Sequence, residues 1–361
     1  MESLEYIILE TAFGILSIVC ALMLLGKPPK PDAGKIRQRI HFMDFVKGAA
    51  IVAVIALHAV NEANAGRVLN DYIWFGVPLF ILVSGYLLGK RYEHGLEVIS
   101  YVKKFFFRVV GIYSIFFSIA YFMNNGLRFD VPGFFLDWLL GRIGNYYFIP
   151  LIVQLYLIFL IINKHRQAIA SWWFLLLVFC ASLAFRIWDT DLQNPDWNTN
   201  PFSLVFFGRF AFYFVFGICL SQFEIWKIGA KKTAAIAVAG FALIALRFCM
   251  TGGVFLGYFY PVLAFFSLHS IVHTTKGIPL VASAENCLAA VGRNSLVIYL
   301  AHGVPLYFMS RLIGENGGIF GYFAIIGLTL AISYAISVLF VGYYWLAARK
   351  FFGFHPTQDD G

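Results

Sequence analysis

One apolar run holds three ionisable residues. The stretch from Phe42 to Val60 reads FMDFVKGAAIVAVIALHAV, with Asp44 and Lys47 near one end and His58 near the other. In a helix, the eleven residues from Lys47 to His58 complete about three turns, so the two share a face about 16 Å apart along the axis. Asp44 stands one turn before Lys47, where it can pair with it. Ionisable groups are costly in hydrocarbon and mark functional sites by default. An imidazole that titrates near neutrality can take the proton of a hydroxyl nucleophile. The plainer alternatives are a lysine stem reaching for headgroups and a histidine bonded to a neighbouring helix. On chemistry alone, the pair suggests a polar path that starts at one membrane face.

The rest of the chain must hold that pair in a bilayer. Of its 361 residues, 60% are hydrophobic, 19% aromatic and only 13% charged. A soluble domain of this length cannot hide so much apolar surface, and long apolar runs in lipid satisfy their backbone groups as helices. The expected class is all-α and polytopic, with eleven candidate spans at about 4–25, 42–60, 72–89, 106–123, 146–163, 171–187, 203–221, 233–250, 254–272, 294–310 and 320–346. The prolines and basic residues of KPPKPDAGK make an extended connector. It divides the chain into one extra helix with a basic linker, 1–35, and a ten-helix integral domain, 36–361. The first 25 residues hold an apolar run without a basic leading region, which predicts a retained span rather than a cleaved signal.

Charge placement sets an orientation. The net charge of +8 lies in short loops, where it signals topology rather than nucleic-acid binding. All thirteen lysines fall on one side, in segments such as KPPKPDAGKIRQRIH, WKIGAKK and ARKFFG. The other side carries NEANAGRVLND, NNGLRFDVPGFFLD, WDTDLQNPDWNTNP and GENGG, with none. By the positive-inside rule the lysine side is cytoplasmic, so the N-terminus is outside and the C-terminus inside a cell membrane.

Other residues stand where they could join the chemistry. Glu62 lies one turn beyond His58, where it could orient the imidazole or simply begin the outer loop. Asn145, Tyr146 and Tyr147 open the fifth span, with Gln154 inside it. They could bind acceptor hydroxyls, and the tyrosines fit an interfacial aromatic belt equally well. His269 and His273 sit four apart near a helix end without a carboxylate or an HExxH pattern, which favours a helix C-terminus over a metal site. The five cysteines are scattered and form no CxxC pair, so neither zinc nor a disulfide framework is expected.

Four segments together are similar to the acyltransferase 3 family of integral membrane acyltransferases. MDFVKGAAIVAVIALHA resembles that family's opening helix, in which a basic residue, ten further residues and a histidine recur; here these are Lys47 and His58. FGVPLFILVSGYLLGKRY resembles its next helix, with Ser84, Gly85 and Tyr86 in the place of its SGF. YVKKFFFRVVGIYSI resembles the basic entry to the third. AVGRNSLVIYLAH matches the late G-x-x-S-x-x-x-Y-x-x-H through Gly292, Ser295, Tyr299 and His302. The segments are spaced across residues 36–310, most of the chain, and their order and spacing together carry more than any one of them.

The chain departs from the family pattern twice. Lysine stands at position 47 where arginine is frequent, which keeps the charge but loses a bidentate fork. The third helix often carries two arginines three apart; here Arg108 has Phe105 three positions before it, with Lys103 and Lys104 nearby.

The resemblance implies transfer of an acyl group, commonly acetyl, from cytoplasmic acyl-CoA to a hydroxyl of an extracytoplasmic or lipid-linked glycan. No metal takes part. It implies His58 as general base, with Lys47 three turns away on the same helix as its catalytic companion. Lys47, Lys103, Lys104 and Arg108 would meet the polyanionic CoA, because clustered cations at a helix entry suit phosphates. Anionic lipid is the competing partner for those lysines. Ser84 would hold the thioester carbonyl or bond back to its own helix. Glu62, Asn145, Tyr146, Gln154 and His302 would meet the acceptor. The alternative is a transporter of a lipid-linked sugar or glycan without chemistry, against which stands the lack of matching broken helices in the two halves.

Overall fold

The computed structural model describes residues 41–60, 73–93, 95–126, 129–143, 146–165, 169, 171–191, 205–223, 229, 231–239, 242, 259–313 and 318–352. Among these the chain is helical throughout, with no strand. The expected first span, the connector after it and most of the 233–250 span lie outside the described residues. So do Glu62 and Asn145.

The helix α1 (His41–Val60) contains no proline and has its acid, Asp44, in the first turn and His58 in the last. The acid at the first turn favours the helix dipole. α2 (Gly76–Arg91) lies against α1, and α8 (Ala211–Leu220) lies against α2. The third span is continuous from Val98 to Asn125. It comprises α3 (Val98–Phe105), a π-helical stretch Phe106–Gly111 and α4 (Ile112–Asn125). α6 (Phe148–Ile162) and α7 (Trp172–Asp191) follow. α9 (Tyr260–Thr274) comes after α8 and begins with Pro261, whose missing N–H is harmless in a first turn. The long α13 (Gly318–Phe352) ends the described fold.

Two helices stand where the sequence reading placed loops. α5 (Val131–Leu140) lies within the expected outer loop NNGLRFDVPGFFLD. Asp130 caps it by accepting the Gly133 N–H at 3.1 Å, Pro132 sits in its first turn, and Gly141 closes it in the left-handed region at φ 61°. α10 (Pro279–Arg293), also opened by a proline, precedes the 294–310 span. That span is itself broken: α11 (Ser295–Ala301) and α12 (Gly303–Ile313) meet at a bend of 53°.

Four helices among the described residues are long and apolar enough to cross a bilayer, or five with the bent pair. The chain is therefore read as a multi-pass membrane protein. The count of eleven extends beyond what these helices show. Large apolar side chains such as Leu312, Phe320, Phe323 and Leu339 are exposed, as lipid-facing residues are.

The helices around α1 meet through glycine. A Cβ on Gly48 would fall on the Leu288 carbonyl of α10, and one on Gly292 on the Asp44 carbonyl of α1. The α2–α8 crossing repeats the device, with Gly85 against the Phe214 carbonyl and Gly217 against the Leu82 carbonyl. Small residues let helix backbones approach where lipid offers no hydrophobic drive to associate. Gly85 and Gly292 are the glycines of the two motif segments, so a packing role accounts for both.

Candidate functional site

His58 is half-buried in the last turn of α1, and no hydrogen bond holds its ring among the described residues. Three turns below, Lys47 forms an ion pair with Asp44 at 2.8 Å, the i, i+3 pairing expected from sequence. Asp44 is buried and Lys47 half-buried. One helix thus presents a charge pair at one end and, among the described residues, an imidazole without a hydrogen-bond partner at the other.

The break between α11 and α12 brings a second imidazole to the first. The sequence there is AHGVP: Gly303 follows the histidine, and Pro305 has no N–H to continue the ladder. His302 stands at the bend, 1% exposed, with its ring centroid 5.3 Å from that of His58 and the two planes 28° apart. The carbonyls freed at the end of α11 are taken up by side chains. His302 Nδ1 donates to the Tyr299 carbonyl, and the Tyr146 hydroxyl donates to the Leu300 carbonyl at 2.7 Å. A carbonyl only accepts, so Nδ1 carries the proton of the neutral ring and Nε2 keeps its lone pair.

The long α13 holds this end in place. The Tyr322 hydroxyl donates to the Ala56 carbonyl of α1 at 3.1 Å, half a turn from His58. Further along α13, the Tyr344 hydroxyl donates at 2.6 Å to the Phe107 carbonyl inside the π-helical stretch. That stretch carries Arg108, and π-turns free backbone groups and recur at functional sites.

Around Arg108 the structure assembles a second polar cluster. Tyr156 of α6 is half-buried, with Ser84, Arg108 and Arg91 near its hydroxyl. Its carbonyl accepts from the Tyr101 hydroxyl at 2.8 Å. Lys103 is exposed and Lys104 half-buried on α3, one turn or so before Arg108. Sequence reasoning missed Tyr156 and Arg91, which belong to no motif segment that pairs them with Arg108. Only the packing of α2, α3 and α6 does so.

The remaining sequence candidates separate. Tyr146 is buried with its hydroxyl committed to α11, and the Gln154 amide donates to the Val205 carbonyl at 2.8 Å. Both join helices to one another. Buried His269 bonds Thr233 at 3.4 Å, while His273 lies in the last turn of α9. Among the described residues no three His, Cys, Asp or Glu side chains gather closely enough to hold a metal ion.

A family model described as an acyltransferase domain matches residues 40–338, from α1 through most of α13. No curated protein and no solved structure matches the chain.

Proposed function

The chain belongs to the acyltransferase 3 family, and from that premise we propose that it is a membrane O-acyltransferase moving an acyl group, acetyl in the first instance, from cytoplasmic acyl-CoA to a hydroxyl of an extracytoplasmic or lipid-linked glycan. The observation that carries this reading is the meeting of His58 with the broken helix at His302, two motif segments from opposite ends of the matched region. His58 takes the proton of the acceptor hydroxyl. The freed oxygen attacks the thioester carbonyl, the C–O bond forms, the C–S bond breaks, and the CoA thiolate leaves with the proton that His58 returns.

The cations are the groups a CoA donor would need. Arg108, near Tyr156, with Lys103 and Lys104 on the same span and Lys47 on α1, would supply the charges that meet the donor's phosphates. The acceptor would come from the other face, toward the His58 end of α1. Membrane lipid surrounds both paths. The site asks for no metal, since an imidazole and a thioester suffice for this transfer.

The test is purified protein in nanodiscs with labelled acetyl-CoA, with and without a glycan extract from the host membrane. Acceptor-dependent CoA release is expected, and uptake or flipping of the extract's glycans without release would make the chain a transporter. In the same assay, replacing Lys103, Lys104 and Arg108 together with glutamine should weaken acetyl-CoA binding about tenfold or more. Each lost charge-assisted contact contributes about 1.5–3 kcal/mol, discounted for exposure and salt. The effect should shrink as ionic strength rises. Wild-type binding by the triple variant would assign these charges to lipid and topology instead.

A further inference from the structure

General-base catalysis leaves a positive imidazolium inside a membrane protein, and such a charge needs a partner. Among the described residues no carboxylate acts on the His58 ring; the ionisable group beside it is His302. The other titratable groups packed around this corner are the tyrosines Tyr146, Tyr147, Tyr299 and Tyr322. Of these, Tyr146 and Tyr322 already donate to backbone carbonyls. His302 differs from all of them. It is fixed by its Nδ1–H on the Tyr299 carbonyl, almost fully buried at a helix break, and left with one unused acceptor, Nε2.

The spacing suits a proton-sharing contact. Two imidazoles joined by an N–H···N bond need about 2.9 Å between nitrogens and roughly 1.1 Å more from each nitrogen to its ring centre, about 5.1 Å in all. The observed centroids are 5.3 Å apart with planes 28° from parallel. The two rings are stacked without a hydrogen bond between them, so the contact requires His58 to turn a ring nitrogen toward His302 Nε2.

We propose that His302 is the positioning partner of His58, accepting through Nε2 a hydrogen bond from the imidazolium that forms as His58 takes the acceptor's proton. This rests on the acyl-transfer reading above. His302 gains no proton: the acceptor O–H bond breaks, the substrate-facing nitrogen of His58 gains that proton, and His302 accepts from the N–H on the other ring nitrogen, which orients and stabilises the imidazolium until the new proton passes to the departing thiolate. The role is that of the third group behind a catalytic base, filled by a neutral imidazole.

Two substitutions separate this role from simple support of the bend. In His302→Asn, the amide N–H can still donate to the Tyr299 carbonyl, but nothing reaches toward His58. In His302→Gln, the side-chain carbonyl lies near the place of Nε2 and can accept. With acetyl-CoA and the membrane glycan extract, His302→Asn is expected to lower kcat 10- to 100-fold with KM for acetyl-CoA unchanged, and His302→Gln to recover most of the loss. The double variant His58→Ala/His302→Asn should be no slower than His58→Ala alone, because groups acting as one unit are non-additive. Thermal melting of each variant controls for folding. A wild-type kcat in folded His302→Asn, or losses that multiply in the double variant, would overturn the proposal. So would loss in Glu62→Gln alone, which would give the orienting role to that carboxylate. If His58→Ala itself keeps full activity, the acyl-transfer reading fails first, and that result is distinct from the others.

Discussion

Replacing His58 with alanine should leave acetyl-CoA binding near the wild-type level and lower kcat by 10²–10⁴. That is the usual weight of a general base, roughly 3–5 kcal/mol of barrier. The expectation follows from position as well as type. His58 lies about 16 Å along α1 from Lys47, too far to touch the same end of an extended donor, and among the described residues its ring nitrogens carry no hydrogen bond whose loss would disturb the fold. Lys47 should behave in the opposite way. Lys47→Arg keeps the charge and the bond to Asp44 and should remain active. Lys47→Ala should raise KM for acetyl-CoA while sparing kcat, with some loss of stability, because it leaves the buried Asp44 carboxylate without this partner. A folded His58→Ala protein turning over at the wild-type rate would make the histidine structural and remove the basis for placing chemistry on α1.

Much of this site is legible in the sequence because it depends on local spacing. An i, i+3 acid–lysine pair and an i+11 histidine on one unbroken apolar helix follow from helical periodicity alone, and the structure has the pair and the shared helix. The long last span is equally plain, since thirty or so apolar residues have little else to form. What escaped reading depends on contacts between distant segments. α10 is only weakly apolar, with Glu285 and Asn286 on it, so no window of hydropathy marks it as part of the core. Yet its Gly292 reaches the α1 backbone. α5 is short and follows polar residues, so its cap at Asp130 resembles an ordinary turn signal. Tyr146 reads as a belt tyrosine or an acceptor contact until the broken α11 supplies a free carbonyl for it. Gly303 and Pro305 announce a break in the late helix, but nothing in the sequence says that the break faces His58.

The α1–α10 crossing should be the part of the fold least tolerant of a single methyl group. Cβ atoms on Gly48 and Gly292 would overlap the Leu288 and Asp44 carbonyls, and backbone carbonyls cannot rotate aside as side-chain tips do. The helices must separate instead. Overpacking of this kind costs about 1–3 kcal/mol per site, more where backbone must shift. Gly48→Ala/Gly292→Ala together should therefore lower the melting temperature in detergent well beyond either single change. Activity should fall further than stability alone explains. α11 continues from α10 to His302, so spreading α10 from α1 also displaces His302 from His58, and a displacement of about 1 Å can cost roughly 10²-fold in rate. Gly327→Ala in α13 is the control: a Cβ there meets nothing within 4 Å, and alanine favours the helix by up to about 1 kcal/mol. Expected are a stable, active Gly327→Ala and, for folded Gly292→Ala, a kcat at least tenfold below wild type with acetyl-CoA binding retained. Melting and kcat unchanged in Gly292→Ala would mean that the crossing has slack, and that the two histidines are held in register by α13 through Tyr322 rather than by the glycine contact.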